Sequence, residues 1–272
     1  MFTGLVSRVC IFLSLFLSSC EYLDVRSIVA TDTVDNRFEE NKRYDKQVPP
    51  SLSNPSKFSF LAVADLHYYK ENRGDFGGIE RLRQQLGFEF VVVAGDVTQS
   101  GLEKQFKMVE EDLERLQVPC YFIVGNHDIE NNGNRLFGKY FGEYIFSFDV
   151  GDTTFIFLDS GNGVLGAKQK HWYEGVLKRS NSNVIVFSHY HIHFTKLLAN
   201  PVDYPYPEER YYLLNVNDES NVDYYVSGHL HQYNMAKIRG VNYITLDTMQ
   251  NDNFAMLFTI ENKEITNQIV RF

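Results

Sequence analysis

The sequence predicts an α/β fold, because short apolar runs alternate with helical patterns along most of the chain. At 272 residues, the chain is long enough for one large domain with a substantial core. The runs that predict strands are residues 58–63, 88–94, 120–124, 184–187, 222–226 and 243–246. We therefore expect a sheet-based domain with helices between successive strands.

The clearest predicted helix lies between the second and third runs. Its apolar residues are three or four positions apart and so share one face. They are Leu102, Phe106, Val109, Leu113 and Leu116. Ser100 and Glu103 fit a capping box at its start.

Two further elements are expected outside this alternation. Residues 144–150 and 153–158 flank Gly151 and Asp152, which predicts a β-hairpin. A short amphipathic helix is expected within residues 32–44, through Val34 and Phe38.

The N-terminus resembles a bacterial lipoprotein signal. The apolar stretch before residue 18 is too short to span a bilayer but suits a signal peptide of residues 1–19. Leu17-Ser18-Ser19-Cys20 resembles the lipobox, in which the cysteine is acylated after cleavage, and the alternative is an ordinary cleaved signal. We therefore expect a lipid anchor on Cys20 that holds the protein to a membrane of the cell envelope.

Residues 20–57 are polar and end in a proline-rich stretch, so they predict a tether without a core of its own. The folded domain is expected to occupy residues 58–272. Cys120 lies within an apolar run and is interpreted as a small core residue rather than a nucleophile.

The charge balance argues against long nucleic acid as a partner. The chain has 35 acidic and 26 basic residues, for a net charge of −9, and it lacks the Lys/Arg clusters that phosphate backbones require.

Five of the predicted strands are followed directly by polar clusters. In α/β sheets, ligands bind at the carboxyl ends of the strands, so these clusters can converge on one point. The clusters are Asp65-Leu66-His67, Gly95-Asp96, Gly125-Asn126-His127-Asp128, Ser188-His189 and Gly228-His229-Leu230-His231.

These clusters offer a ligand set for two metal ions. Carboxylates and imidazoles suit first-row divalent metals, and an Asn carbonyl adds a hard oxygen ligand. A purely structural metal site often uses Cys, which is absent from the clusters, so the set favours an open catalytic site. Mn, Fe, Zn, Co or Ni would suit it.

The ordered set closely resembles the signature of the calcineurin-like metallophosphoesterase family over residues 65–231. The resemblance implies two packed mixed β-sheets flanked by helices, in a four-layer sandwich, with a dinuclear centre at the strand ends. It assigns Asp65, His67, Asp96 and His231 to one metal, and Asp96, Asn126, His189 and His229 to the other. Two divalent ions and two carboxylates leave a net charge of +2, which suits a phosphate ester.

His127 is placed outside the metal shell by the resemblance, as a proton donor to the leaving oxygen or a stabiliser of transition-state charge. Asp128 would orient His127 or support the loop, and the alternative is that it caps the following turn. Beyond His189, the fourth cluster departs from the commonest family pattern. His191 and His193 could face the substrate or be packed loop residues, whereas His171 is expected to be structural.

The sequence after Asp96 lacks the continuation found in serine/threonine phosphoprotein phosphatases and looks like the branch with bacterial cyclic-nucleotide and glycerophosphodiester phosphodiesterases. The expected function is a phosphodiesterase of small substrates. The alternatives are a phosphomonoesterase and a non-catalytic, lipid-anchored binding protein. Tyrosines within residues 204–225 predict an aromatic loop that could line the pocket or pack on the sheet.

Overall fold

The computed structural model describes residues 34–192 and 206–272. The strands are β1 (Lys57–Val63), β2 (Phe90–Val93), β3 (Cys120–Phe122), β4 (Phe146–Val150), β5 (Thr153–Phe157), β6 (Asn183–Phe187), β7 (Tyr224–Ser227), β8 (Asn234–Ile238), β9 (Val241–Thr245), β10 (Phe254–Glu261) and β11 (Glu264–Arg271). The α-helices are α1 (Val34–Glu40), α2 (Phe76–Leu86), α3 (Glu103–Leu113), α4 (Gly133–Phe141), α5 (Ala167–Leu177) and α6 (Pro207–Glu219). Within the described parts of the chain, no helix has the length and apolar character needed to cross a bilayer.

The strands form two mixed sheets. The first has the order β11-β10-β1-β2-β3, and the second has the order β4-β5-β6-β7-β9-β8. Strands β1, β2 and β3 are parallel to one another, as are β5, β6, β7 and β9, whereas β4, β8, β10 and β11 are antiparallel to their neighbours. The parallel strands therefore end at a common edge in each sheet.

Alternating side chains divide the core into layers. On β1, Phe60 lies in the core between the two sheets, whereas Leu61 packs in the cluster that contains the side chains of α2 and α3. Phe60 also stacks on Phe90 of β2, with ring centroids 5.0 Å apart. A third buried cluster joins the outer face of the second sheet to Tyr173 of α5 and Leu213 of α6. The expected four-layer sandwich is confirmed.

The segment before β1 is docked on the domain. Val34 and Arg37 of α1 are buried, and α1 packs on α5. Asn41 Nδ2 donates to the Ile145 carbonyl at 2.6 Å, and Gln47 Nε2 donates to the Phe141 carbonyl at 2.6 Å. The helix expected within residues 32–44 is confirmed, but residues 34–48 are a packed segment rather than a tether. Residues 20–33 lie outside the described residues, and the domain boundary stays a prediction.

Three local expectations need correction or extension. Helix α3 begins at Glu103, and its cap uses Gln105, whose Oε1 accepts the backbone N–H of Ser100 at 3.0 Å, so Glu103 is not the capping partner. Strands β8, β10 and β11 were not expected. The segment interpreted as an aromatic loop contains α6, which starts at Pro207, a residue suited to a first helical turn.

All six predicted strands are present within a few residues of the expected bounds, and β4 and β5 form the expected hairpin. Cys120 is half-buried on β3, and burial raises the pKa of its thiol, so it does not behave as a reactive thiolate.

Candidate metal centre

The carboxyl ends of β1, β2, β3, β6 and β7 bring the predicted ligands together where the two sheets meet. Four of the side chains form one group, in which one candidate ligand atom from each lies within 4.8 Å of the others. This first cluster consists of Asp65, His67, Asp96 and His231. Asp96, His189 and His229 form a second group by the same measure.

In the first cluster, two imidazoles face each other beside two carboxylates. His67 Nε2 lies 2.9 Å from His231 Nε2 and 3.8 Å from Asp96 Oδ2. His231 Nε2 lies 3.6 Å from Asp65 Oδ1. The donor atoms therefore surround a space small enough for one ion.

In the second cluster, the carbonyl oxygen of Asn126 joins the group, which we define as Asp96, Asn126, His189 and His229. Asn126 Oδ1 lies 2.9 Å from His189 Nε2 and 2.9 Å from His229 Nδ1. Asp96 Oδ2 lies 3.2 Å from His189 Nε2. Asp96 belongs to both clusters and is the residue that could bridge two ions.

The second cluster has the donor chemistry of a cation site. His189 Nδ1 lies 3.0 Å from the Ala94 carbonyl oxygen, which only an N–H can approach, so neutral His189 turns the lone pair of Nε2 into the cluster. That lone pair meets the amide oxygen of Asn126 and the carboxylate of Asp96. Burial opposes a charge on His189, but the charge of Asp96 outweighs it and raises the pKa of His189 to about 9. The cluster therefore attracts positive charge, which a divalent ion would supply.

Two of the other imidazoles, those of His67 and His229, are held in the neutral form that ligates metals. Burial lowers the pKa of His67 to about 4, against the opposing charge of Asp96. Burial and the neighbouring His189 hold the pKa of His229 well below its ordinary value. Burial would raise the pKa of Asp96, but the charges of His189 and His127 outweigh it and hold that pKa well below its usual range.

Five of the seven candidate ligands have strained backbones. Asp65, His67, Asp96, His229 and His231 have φ values of 54°, 45°, 49°, 73° and 52°. Left-handed backbone costs a non-glycine residue about 1 to 2 kcal/mol, so its concentration here indicates a functional constraint.

Glycines allow the loops to approach closely. A Cβ on Gly95 would lie 2.3 Å from His189 Nδ1, one on Gly125 would lie 2.1 Å from Asp96 Oδ1, and one on Gly228 would lie 2.7 Å from Asp65 Oδ2. No side chain fits at these distances. The glycines that precede Asp96, Asn126 and His229 are therefore required by packing.

His127 lies at the edge of both clusters. Its backbone N–H donates to Asp96 Oδ1 at 3.0 Å, and its ring Nδ1 lies 2.7 Å from the Gln99 carbonyl. The ring also packs edge-on against His67, with centroids 4.7 Å apart. Since Nδ1 donates to Gln99, Nε2 is the nitrogen that would act on a substrate.

Asp128 is buried under the loops. Its carboxylate accepts the N–H groups of Val97 at 3.2 Å, Thr98 at 2.8 Å and Gly125 at 3.0 Å. It thus joins the Asp96 loop to the Asn126 loop, which agrees with support of the loop among the roles expected for it.

The remaining predicted residues lie in different places. His191 is buried, with its ring 5.9 Å from that of His229, and His171 is exposed on α5. Tyr190 stacks on His229 with centroids 4.0 Å apart. His193 and Cys20 lie outside the described residues.

Several supporting residues were missed by sequence reasoning. Thr248 Oγ1 donates to the Asp65 carbonyl at 2.7 Å, and Gln250 Nε2 donates to the Leu66 carbonyl at 2.9 Å. Ser160 Oγ accepts the backbone N–H of His189 at 3.1 Å. Thr248 and Ser160 each come two or three residues after an apolar run, so the rule that directed attention to the other strand ends could have found them.

Proteins similar to this chain include phosphodiesterases and a dimetal phosphatase. A segment of 52 residues, 19% of the chain and 19% of the relative, is 38% identical to a protein of Arcobacter nitrofigilis named "probable glycerophosphodiester phosphodiesterase". A 3',5'-cyclic-nucleotide phosphodiesterase of a Nostoc species is 25% identical over 174 residues, which cover 61% of this chain and 64% of that protein. The chain thus spans less than two thirds of the length of these curated relatives.

A dimetal phosphatase of Danio rerio has a similar fold, with a TM-score of 0.60 at 15% identity over 80% of this chain and 100% of that chain. The sequence profile of the calcineurin-like phosphoesterases matches residues 58–233, which include every candidate ligand. The chain belongs to the calcineurin-like phosphoesterase family.

Proposed function

We propose that this protein hydrolyses phosphate esters with two divalent metal ions, one in each cluster. The observation that carries the proposal is the position of Asp96, whose carboxylate lies in both groups of candidate ligands. Mn, Fe, Zn, Co or Ni would suit the mixture of imidazole and oxygen ligands, whereas Ca²⁺ prefers shells of oxygen alone.

Bound ions would polarise the phosphoryl oxygens and lower the pKa of water toward neutrality. The residues of the chain have three tasks. The first and second clusters hold the ions, and Asp128 and the glycines keep the loops that carry Asp96 and Asn126 in contact. His127, fixed through Nδ1 by Gln99, donates a proton from Nε2 to the leaving oxygen or stabilises the developing charge.

The proposed reaction is the hydrolysis of small phosphodiesters. The names of the Arcobacter and Nostoc relatives support this choice, and the net positive charge of a loaded site suits an anionic ester. The alternative is a phosphomonoesterase. Comparing an aryl phosphate bis-ester with the aryl monoester separates the two, since a diesterase has the higher kcat/KM for the bis-ester.

The test of the metal proposal is Asp96→Ala, because this change removes a ligand from both clusters. We expect loss of both ions and of turnover on both aryl substrates. Asp152→Ala, at the exposed hairpin turn, is the matched carboxylate control and should retain wild-type metal content. Metal-dependent turnover by Asp96→Ala would contradict the proposal. Tight ligand binding without turnover, across metals and a broad phosphoester panel, would favour the non-catalytic binding protein.

We also propose that Cys20 carries a lipid that anchors the protein to a membrane of the cell envelope. The support is the Leu17-Ser18-Ser19-Cys20 motif. Mass spectrometry of the mature protein from a bacterial host tests it, because Cys20→Ala should abolish the added lipid mass. A mature N-terminus other than a lipidated Cys20 would contradict it.

A further inference from the structure

The turn of residues 159–161, after β5, contacts both loops that carry the second cluster. Ser160 Oγ accepts the backbone N–H groups of His189 at 3.1 Å and Tyr190 at 3.0 Å. Gly161 packs against the Gly125 carbonyl, which a Cβ on Gly161 would approach to 3.2 Å. The position of this turn therefore affects the placement of both His189 and Asn126.

Gln169 of α5 hydrogen-bonds to the backbone of Asp159, and a buried ion pair from the N-terminal segment holds the Asp159 side chain. Asp159 and Arg37 are both fully buried, and Arg37 Nη2 donates to Asp159 Oδ1 at 2.9 Å while Nε donates to the other carboxylate oxygen. Asp159 Oδ1 also accepts the N–H of Gly161 at 3.0 Å. A bidentate guanidinium fixes both the position and the plane of a carboxylate.

Helix α1 has other contacts that hold it on α5. Asp35 Oδ1 accepts the backbone N–H of Lys168 at 3.0 Å, and Lys168 forms an exposed ion pair with Glu39. Val34 is buried as well. A buried Arg37 is therefore not needed merely to attach α1 to the domain, and its charge is directed at the turn behind the second cluster.

We propose that Arg37 is a positioning residue for the second metal cluster, acting through Asp159 and the turn of residues 159–161. The proposal rests on the metal binding proposed above. It makes α1, which lies outside the family match at residues 58–233, a working part of the site. Without Arg37, the buried Asp159 carboxylate must become hydrated or protonated, and the turn that supports His189 shifts.

The test is a Mn²⁺ titration of the full-length, metal-free protein, in which calorimetry and electron paramagnetic resonance measure binding. His231→Gln and His189→Gln assign the two binding steps to the first and second clusters. Arg37→Leu should weaken Mn²⁺ binding at the second cluster about 10- to 100-fold, the range for changes in groups that orient metal ligands. Binding at the first cluster should stay within about twofold of wild type.

Two variants make the result specific. Arg37→Lys keeps the charge but loses the bidentate contact, and its Mn²⁺ affinity at the second cluster should lie between those of Arg37→Leu and the wild type. Glu39→Gln, on the same helix, breaks only the exposed ion pair and should leave both binding steps unchanged. Unchanged binding at the second cluster in folded Arg37→Leu would overturn the proposal, as would an equal loss at both clusters.

Ser160→Ala tests the same connection between Arg37 and His189 from its other end. Because it leaves no buried charge unpaired, it can be used if Arg37→Leu does not fold. It should also weaken the second cluster selectively, and wild-type affinity in this variant would overturn the proposal. A wild-type protein that binds no Mn²⁺ would instead contradict the proposed function, so the two failures are distinguishable.

Discussion

The first and second clusters of candidate ligands are supported by opposite ends of the chain. In the first cluster, Thr248 and Gln250, which follow β9, hold the backbone carbonyls of Asp65 and Leu66. In the second, Ser160 holds the backbone of His189, and the turn that contains Ser160 is joined to α1 by Arg37. The shared carboxylate of Asp96 is what makes the two clusters one site.

The clusters also differ in exposure. The side chain of His231 in the first cluster is 44% exposed, whereas that of His189 in the second is fully buried. A buried ligand set that is supported on several sides loses an ion less readily than an open one. We therefore expect the first cluster to exchange its metal faster and the second to be the more rigid.

Among the changes that separate the two clusters, the largest expected effect comes from filling the space beside His189. Gly95→Ala would place a Cβ 2.3 Å from His189 Nδ1, which must move. Turnover should fall by at least about 10²-fold, as expected for a misplacement near 1 Å, with loss of metal from the second cluster first.

Gly240→Ala is the matched control for Gly95→Ala. The φ values are 89° at Gly95 and 96° at Gly240, but among the described residues no atom beyond the chain neighbours of Gly240 lies within 4 Å of a Cβ placed there. Both variants pay a backbone cost of about 1 kcal/mol or more, and only Gly95→Ala should lose metal. Equal metal content and activity in the two variants would show that the His189 contact is unimportant.

His127→Ala should leave both clusters loaded while slowing turnover by about 10²- to 10⁴-fold, the usual contribution of a general acid. Metal analysis beside kinetics measures this. Loss of metal from either cluster would place His127 in the coordination shell. Full activity would show that the leaving group needs no proton from it.

Thr248→Val should weaken metal binding at the first cluster alone, about 10- to 100-fold, because the donor to the Asp65 carbonyl is lost without a change in shape. Thr153→Val is the matched control, since the buried Thr153 hydroxyl has no hydrogen-bond partner among the described residues. A Mn²⁺ titration that shows equal effects in both variants would rule out this support.

The smallest expected effect is on the stability of the metal-free protein, and it has opposite signs for His189 and His67. The pKa of His189 is raised to about 9 from an ordinary 6.5, so its contribution is complete below pH 6.5 and is lost as pH rises through 9. The pKa of His67 is lowered to about 4, so protonation destabilises the fold as pH falls from 6.5 toward 4.

Thermal unfolding of the chelated protein from pH 4 to pH 10 measures both effects. His189→Gln should reduce the alkaline loss of Tm and leave the acid loss in place. Bound metal should abolish the alkaline loss, because the ion replaces the proton on His189. An alkaline loss as large in His189→Gln as in the wild type would assign it to another group.

The candidate ligands could be predicted from the sequence because each directly follows an apolar run, so local pattern and sheet geometry suffice to gather them. The ion pair between Arg37 and Asp159 could not, because its members lie 122 residues apart and neither stands in a motif. Residues 34–48 appear as a tether from composition alone, since their polar side chains find partners only in the folded domain.

The unexpected elements have similar causes. Strand β11 is largely exposed and mixes polar with apolar residues, so its pattern resembles a surface loop. Helix α6 carries tyrosines and acidic residues without a clear apolar face, and its only buried apolar side chain is Leu213. Its helical state depends on packing against the second sheet, where Leu213 joins the buried cluster.

We propose that Asp96 joins two ion sites, each held by a cluster with a different structural support. Anomalous diffraction from crystals of the protein loaded with Mn²⁺ tests it most directly. We predict two peaks about 3.5 to 4 Å apart on either side of the Asp96 carboxylate, one beside His67 and His231 and the other beside His189 and His229. A single peak, or peaks away from Asp96, would contradict it.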